Sequence, residues 1–315
     1  MIEVGVHTKG IMPERTIEEG YRLIAEAGFT KVDFSLDTYL KNSDIYAGRL
    51  NPFFDASLEE LLNFARQHKY AMEKNGLSPS QMHAPYPYFV YGKEKQNEYT
   101  MKNVIPKSLA FAREIGAPWT VIHPAKLQYR IGRDGERAYN LSYFKSLIPL
   151  LKEYKIGACV ENLYESVGGR ITEGVCSNVN DAIWYVDTLN DIAGEELFGI
   201  CMDTGHLQLT KRDAVTYIQK AGKRIKILHL HENDGIGDLH QMPYTFAGDN
   251  AKGLDWDAVM TELAKANYDG TLSFETFPCM NTFMEGMDEI VLHTICKIGE
   301  YFRDEIIRMK KENAK

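Results

Sequence analysis

Short β-rich runs alternate with longer amphipathic segments along the whole chain, and this alternation restricts the fold more than any other feature. Parallel strands joined by helical crossovers produce such a pattern. The strand-like runs cover residues 2–7, 30–35, 78–83, 119–123, 156–161, 198–202, 225–230 and 271–275, eight in all. Between them, TIEEGYRLIAEAGF has the spacing of a capped helix: Thr16 and Glu19 are placed for a capping box, Ile17, Tyr21 and Ile24 share a face, and Gly28 stops the turn. Amphipathic stretches follow at 58–74, 98–115, 143–154, 179–189, 213–220, 256–266 and 285–310. A doubly wound open sheet would carry a Gly-rich phosphate turn after its first strand, and GVHTKG matches neither G-x-G-x-x-G nor the P-loop pattern. The expectation is therefore an α/β chain folded as a closed (β/α)8 TIM barrel, one domain spanning residues 1–315.

Composition agrees with that class. A chain of 315 residues that is 44% hydrophobic and 25% charged can bury a full-sized core. The 5 cysteines include no C-x-x-C pair, which argues against a disulfide framework or a thiolate zinc knuckle and for a reduced, cytoplasmic setting. No apolar run approaches the roughly 18 residues of a membrane span. A formal net charge of -8 disfavours a nucleic acid as partner, because such binding draws on clustered Lys and Arg.

In a barrel of this kind the active face is built at the C-terminal ends of the strands. His7, His83, His123, Glu161, His231 and Glu275 close strand-like runs, Asp203 and His206 directly follow one, and Asp238 and His240 lie in the polar loop 232–254. Of the 9 histidines, only His68 and His293 fall in helical segments. Any one of these groups could be a packed core histidine or a helix cap. A dry core would not gather so many groups that are costly to desolvate at one end unless they were paired or bound to metal. Imidazole with carboxylate suits zinc or manganese, and also cobalt, whereas a calcium site would use oxygen ligands almost alone. Glu161, Asp203, His231 and Glu275 could surround one divalent ion and leave positions open for substrate. Gly205 is read as permitting a tight turn between Asp203 and His206, and His229 as a packed neighbour one layer below His231. Tyr86, Tyr88, Phe89, Tyr91, Tyr164, Tyr244 and Phe246 are candidates for an aromatic wall at the mouth. Trp256 is read as an anchor, and Lys126 and Arg130 as surface charge or phosphate contacts.

The stretches MHAPYPY, VIHPA, CVENLY, GICMDTGHLQ, LHLHENDG, GDLH and LSFETF resemble the xylose isomerase-like superfamily over nearly the whole chain. The resemblance implies a metal-dependent isomerase or epimerase acting on a sugar or sugar phosphate. Proton transfer beside a carbonyl would pass through a metal-stabilised enediolate. The implied ligands are Glu161, Asp203, His231 and Glu275. The implied catalytic groups are Glu161, Glu275 and His206, and the substrate contacts His7, His83, Tyr86, His123, Asn162 and His206. It also implies a homodimer. One branch, endonuclease IV, has three zinc ions, and its pattern matches His83, His123, Glu161, Asp203, His206, His231, Asp238, His240 and Glu275. A multi-zinc phosphoesterase is thus an alternative, as is a metal-dependent dehydratase or lyase acting on a sugar or cyclitol. A metal-stapled binding protein without turnover is the non-enzymatic reading, against which the retained carboxylate pair speaks.

Overall fold

The computed structural model describes residues 2–12, 15–246 and 253–313. Its strands are β1 (Glu3–His7), β2 (Lys31–Ser35), β3 (Ser78–His83), β4 (Trp119–Val121), β5 (Gly157–Glu161), β6 (Tyr164–Val167), β7 (Arg170–Glu173), β8 (Phe198–Asp203), β9 (Ile225–His229) and β10 (Thr271–Phe274). The 8-stranded sheet runs in the order β10-β1-β2-β3-β4-β5-β8-β9, and every pairing within it is parallel. Leu230 bridges Phe274 across the remaining gap, donating its N–H to the Ser273 carbonyl at 2.8 Å and accepting from the Glu275 N–H at 3.2 Å. The sheet thereby closes into the expected barrel, with helices packed around it.

The amphipathic segments fold as helices for the reasons legible in their sequence. Thr16 and Glu19 form the capping box of the first helix, and Ser57 and Glu60 form another at 57–60. Several helices run past the expected limits. The segment expected at 143–154 extends over Gly132–Tyr154, because the polar, Gly-containing GRDGERAYN carries no apolar stripe to announce it. The 98–115 helix starts at Glu94 and contains a π-turn at Thr100–Val104. Pro106 follows that turn and cannot donate to a carbonyl one turn back, so a wider local turn suits it. The last helix spans Asp288–Asn313, and no helix among the described residues is long and apolar enough to cross a membrane.

The barrel interior is layered. Val121, Cys159, Cys201 and Ile227, from β4, β5, β8 and β9, form a small apolar cluster of their own, separate from the main core between strands and helices. Side chains two residues further along these strands, at His123, Glu161, Asp203 and His229, make the next layer, as the period-2 alternation of a strand requires. The 5 cysteines are buried and unpaired. Part of the polar loop 232–254, at 247–252, lies outside the described residues.

An antiparallel hairpin, β6–β7, is inserted after β5, outside the eight-fold alternation. The signal was present. Gly168 and Gly169, at φ 59° and 77°, are the two-residue loop that lets right-twisted strands turn back.

Candidate metal centre and active site

Nine ligand-type side chains converge at the C-terminal mouth of the barrel, and hydrogen bonds settle which nitrogen each of several histidines presents. His83 Nδ1 lies 2.9 Å from the Ala84 carbonyl, and His240 Nδ1 lies 2.9 Å from the Glu275 carbonyl. His206 Nδ1 lies 3.0 Å from the Asn162 carbonyl and 3.1 Å from Glu161 Oε1. These neighbours are all acceptors, so each Nδ1 carries the proton. In the neutral ring each Nε2 then keeps the lone pair that ligates, the arrangement that backbone carbonyls impose on metal-binding imidazoles, and a bound ion would displace the proton from any ring that neighbouring carboxylates hold charged.

The free nitrogens meet carboxylates in two groups. His83 Nε2 and His123 Nε2 are 3.0 Å apart, and Glu161 Oε2 stands 3.0 Å from the latter and 3.8 Å from the former. His206 Nε2 and His240 Nε2 lie 3.6 and 3.3 Å from Asp238 Oδ2. An ion with bonds of about 2.0–2.1 Å in a tetrahedral shell holds its ligands about 3.3–3.4 Å apart, so both groups have the spacing of a coordination shell. A third group is sited between them. Asp203 Oδ2 lies 2.8 Å from His231 Nε2, and His231, His240 and Glu275 offer ligand atoms within 4.8 Å of one another.

Several of these atoms lack hydrogen-bond partners despite full burial, notably Glu161 Oε2 and His231 Nδ1. Leaving such groups unsatisfied is costly, and divalent cations would relieve the carboxylate side of that cost. The donor set of imidazole and carboxylate fits zinc, manganese or cobalt. Protein charges already polarise the site. Burial pushes Glu161 toward its neutral form, but His123 and His229 outweigh it and hold the carboxyl well below the usual range. Glu275 is held low in the same way by His229 and His240. Burial disfavours a charged His240, yet Asp238 and Glu275 raise its pKa to about 9.

His229, read from the sequence as a packed neighbour, is more central than that. Its Nδ1 stands 3.4 Å from Glu161 Oε2 and 3.2 Å from Glu275 Oε2, while its Nε2 faces Asp33 at 3.1 Å. Asp33 sits at a register shift in the pairing of β2 with β3 and is also held by Gln81 at 2.8 Å. His229 therefore ties the two glutamates together from below.

Gly205 has a different use from the expected one. Its φ is not in the left-handed region. A Cβ at this position would overlap the His231 ring and the Asn233 amide, so glycine is needed for close approach. Gly205→Ala is expected to displace His231 and weaken metal retention about 10- to 100-fold, measured by competition with a chelating dye. Unchanged affinity would show that His231 does not hold the ion.

A cavity of about 1140 Å³ opens above this floor, lined among others by Tyr86, His123, Glu161, His206, Asp238 and Glu275. The aromatic wall needs revision. Tyr86, Phe89, Tyr91 and Tyr164 line the cavity, and Tyr86 stacks on His123 with ring centroids 3.9 Å apart. Tyr88 is instead buried, donating to Asn140 at 2.6 Å. Tyr244 packs against Phe302, away from the mouth, and the Phe246 N–H donates to Glu232. Trp256 donates from Nε1 to Glu232 at 3.2 Å, the anchor expected of it. Asn162 is not in the wall as a substrate contact. It is fully buried, exchanging hydrogen bonds of 2.9 and 2.8 Å with the Asp203 backbone, and so straps β5 to β8. His7 and His83 lie beneath the surface at 2% exposure, His7 Nε2 being 3.7 Å from Glu275. The nine ligand-type residues thus lie on or just beyond six barrel strands and in the loop after β9.

A parallel barrel with such a mouth defines a class, and sequence comparison narrows it. The family model of the xylose isomerase-like TIM barrel matches residues 21–292, and the chain belongs to that family. An uncharacterized protein of Sinorhizobium fredii (strain NBRC 101917 / NGR234), y4fM, is 26% identical over 281 residues, 84% of this chain and 83% of its own length. Among solved structures, an L-ribulose 3-epimerase superposes with a TM-score of 0.71 at 14% identity, covering 100% of this chain and 99% of its own. The 3-keto-D-glucoside 4-epimerase YcjR from E. coli gives 0.65 at 16% identity, covering 99% and 100%. The IolI protein with a bound zinc atom gives 0.66 at 14% identity, covering 97% and 98%. At these identities the superpositions establish a shared fold.

Proposed function

We propose that the protein is a metal-dependent isomerase or epimerase of sugars or sugar phosphates. One observation carries this reading: the carboxylates of Glu161 and Glu275, from strands far apart around the barrel, reach the same cavity and the same His229 nitrogen. Two carboxyls facing one bound carbon, one ionised and the other protonated, can take a proton from one face and return one to the other. The named epimerases with the same fold support the substrate class.

Glu161, Asp203, His231 and Glu275 would hold a divalent ion, whose chemistry is to bind neighbouring oxygens and polarise the carbonyl. In the proposed reaction Glu161 removes the proton from the carbon beside the carbonyl, and the C–H electron pair moves into the double bond of an enediolate. Glu275, protonated from water before this step, gives its proton to the opposite face, where the enediolate electron pair forms the new C–H bond of the epimer; exchange with water then returns both carboxyls to their starting states. Delivery to the adjoining carbon instead gives the aldose–ketose isomer. Both glutamates rest ionised for the reasons given above, so Glu161 is in the form that accepts a proton, and Glu275 must take one up before it can act as donor. Tyr86 and Tyr164 in the wall would exclude water from the reacting carbons.

A second reading draws on the two further groups, His83–His123–Glu161 and His206–Asp238–His240. Filled by zinc, they would suit hydroxide attack on a phosphodiester. Removing metal from purified protein with a chelator and adding back Mn, Co or Zn separates the readings. The epimerase reading expects ketose turnover to vanish and to return with about one ion per chain. Restoration that requires two or three zinc ions, with phosphodiester cleavage and no sugar conversion, would favour the second.

A further inference from the structure

Lys126 is partly buried, and its ammonium has no counter-ion among the described residues. It lies three residues beyond His123 and lines the same cavity as Glu161 and Glu275. Its Nζ rests 4.8 Å from the centre of the Tyr164 ring, and among the described residues it has neither a carboxylate partner nor a hydrogen bond. The acidic groups nearest in effect are already engaged. Glu136 accepts from the Leu127 N–H at 3.0 Å, Glu165 from the Ser166 N–H at 2.9 Å, and Asp238 faces His206 and His240. Arg133, another cation in the lining, is paired with Asp181 and Glu173. Arg130 is held by the Tyr91 hydroxyl at 2.8 Å.

Burial pushes the Lys126 pKa down, and Glu165, Asp238 and Glu161 only partly oppose it. A partly desolvated cation is costly to keep unpaired. The Tyr164 ring face positions the ammonium without neutralising it. Tyr164 is itself tethered to the metal side of the cavity, its hydroxyl donating to Asp238 at 3.4 Å. The cation is therefore fixed in direction, close to the candidate metal floor, with one side open to the cavity.

We infer that Lys126, held by Tyr164, is a subsite for an oxyanion carried by the substrate, the carboxylate of a sugar acid or the phosphate of a sugar phosphate. This deepens the proposed sugar reaction and rests on it for the identity of the rest of the ligand. The anion would pair with the ammonium while the sugar hydroxyls reach the floor. A neutral sugar of the same size would leave the ammonium unpaired.

Calorimetric titration of the metal-loaded protein with D-glucuronate, D-glucose 6-phosphate and D-glucose tests this, using wild type, Lys126→Met and Lys126→Arg. The expected result is that wild type binds at least one of the two anions about tenfold more tightly than glucose, as a charge-assisted contact would give. Lys126→Met should lose that preference and Lys126→Arg should keep most of it. A preference for glucuronate assigns the subsite to carboxylate, and one for the phosphate ester assigns it to phosphate. Equal binding of all three by wild type, no binding of either anion, or a preference that survives in Lys126→Met would overturn the inference. The wild-type comparison stands even if Lys126→Met does not fold. Heat of binding is read without turnover, so a failure of the epimerase reading would appear separately, as absent sugar conversion with the anion preference intact.

Discussion

Glu161→Gln should reduce turnover by about 10³-fold or more while leaving the barrel folded. The substitution keeps the side-chain shape and removes the charge. That charge faces His123 at 3.0 Å, His206 at 3.1 Å, His229 at 3.4 Å and His83 at 3.8 Å, one imidazole more than Glu275 meets. Losing it removes the proposed proton acceptor and one side of the metal shell together. The hydrophobic core is untouched, since the main cluster between strands and helices does not include Glu161. Circular dichroism and thermal melting should therefore stay close to wild type while kcat collapses. The opposite pattern, a large loss of stability with little change in kcat, would mean that the ion merely staples the strand ends.

Asp203→Ala should be the most destabilising single change in the mouth, costing about 2–4 kcal/mol and most of the bound metal. Asp203 does two jobs. Its Oδ1 caps the short helix Thr204–Leu209 by accepting the His206 N–H at 2.6 Å, and its Oδ2 meets His231 Nε2 at 2.8 Å. Loss of a cap costs about 1 kcal/mol, and leaving a buried imidazole unpaired costs about 1–3 kcal/mol more. Asp203→Asn separates the two: the amide oxygen can still cap, so stability should largely recover, whereas metal content should remain low because the charge is gone. Denaturant melts and elemental analysis read the two effects independently. Equal metal content in both variants and wild type would remove Asp203 from the ligand set.

Much of this site could be read from the chain because strand ends are where a parallel barrel presents its chemistry. A His, Asp or Glu closing a β-rich run points to the mouth, and His83, His123, Glu161, Asp203, His231 and Glu275 all do so in the structure. Three things were less visible. The role of His229 depends on how deeply β9 sits relative to β5 and β10, which strand parity alone does not specify. The hairpin Tyr164–Glu173 lies outside the eight-fold alternation, and its signal is local: ESVGGRITE carries a two-glycine turn between alternating residues. Loop position alone points Tyr244 and Phe246 to the mouth, but a loop can fold back, and theirs packs toward Phe302 and Glu232. Gly205 shows the same limit. Sequence suggests a turn glycine, and only the fold reveals the His231 ring against it.

The most direct test of the central claim is proton NMR of the metal-loaded protein in D2O with a panel of ketopentoses, ketohexoses and their phosphate esters. The account predicts that, for at least one sugar, the C–H signal beside the carbonyl is lost to deuterium as an epimer or isomer appears, and that Glu161→Gln does neither. Full metal occupancy with no exchange and no new sugar anywhere in the panel would contradict it.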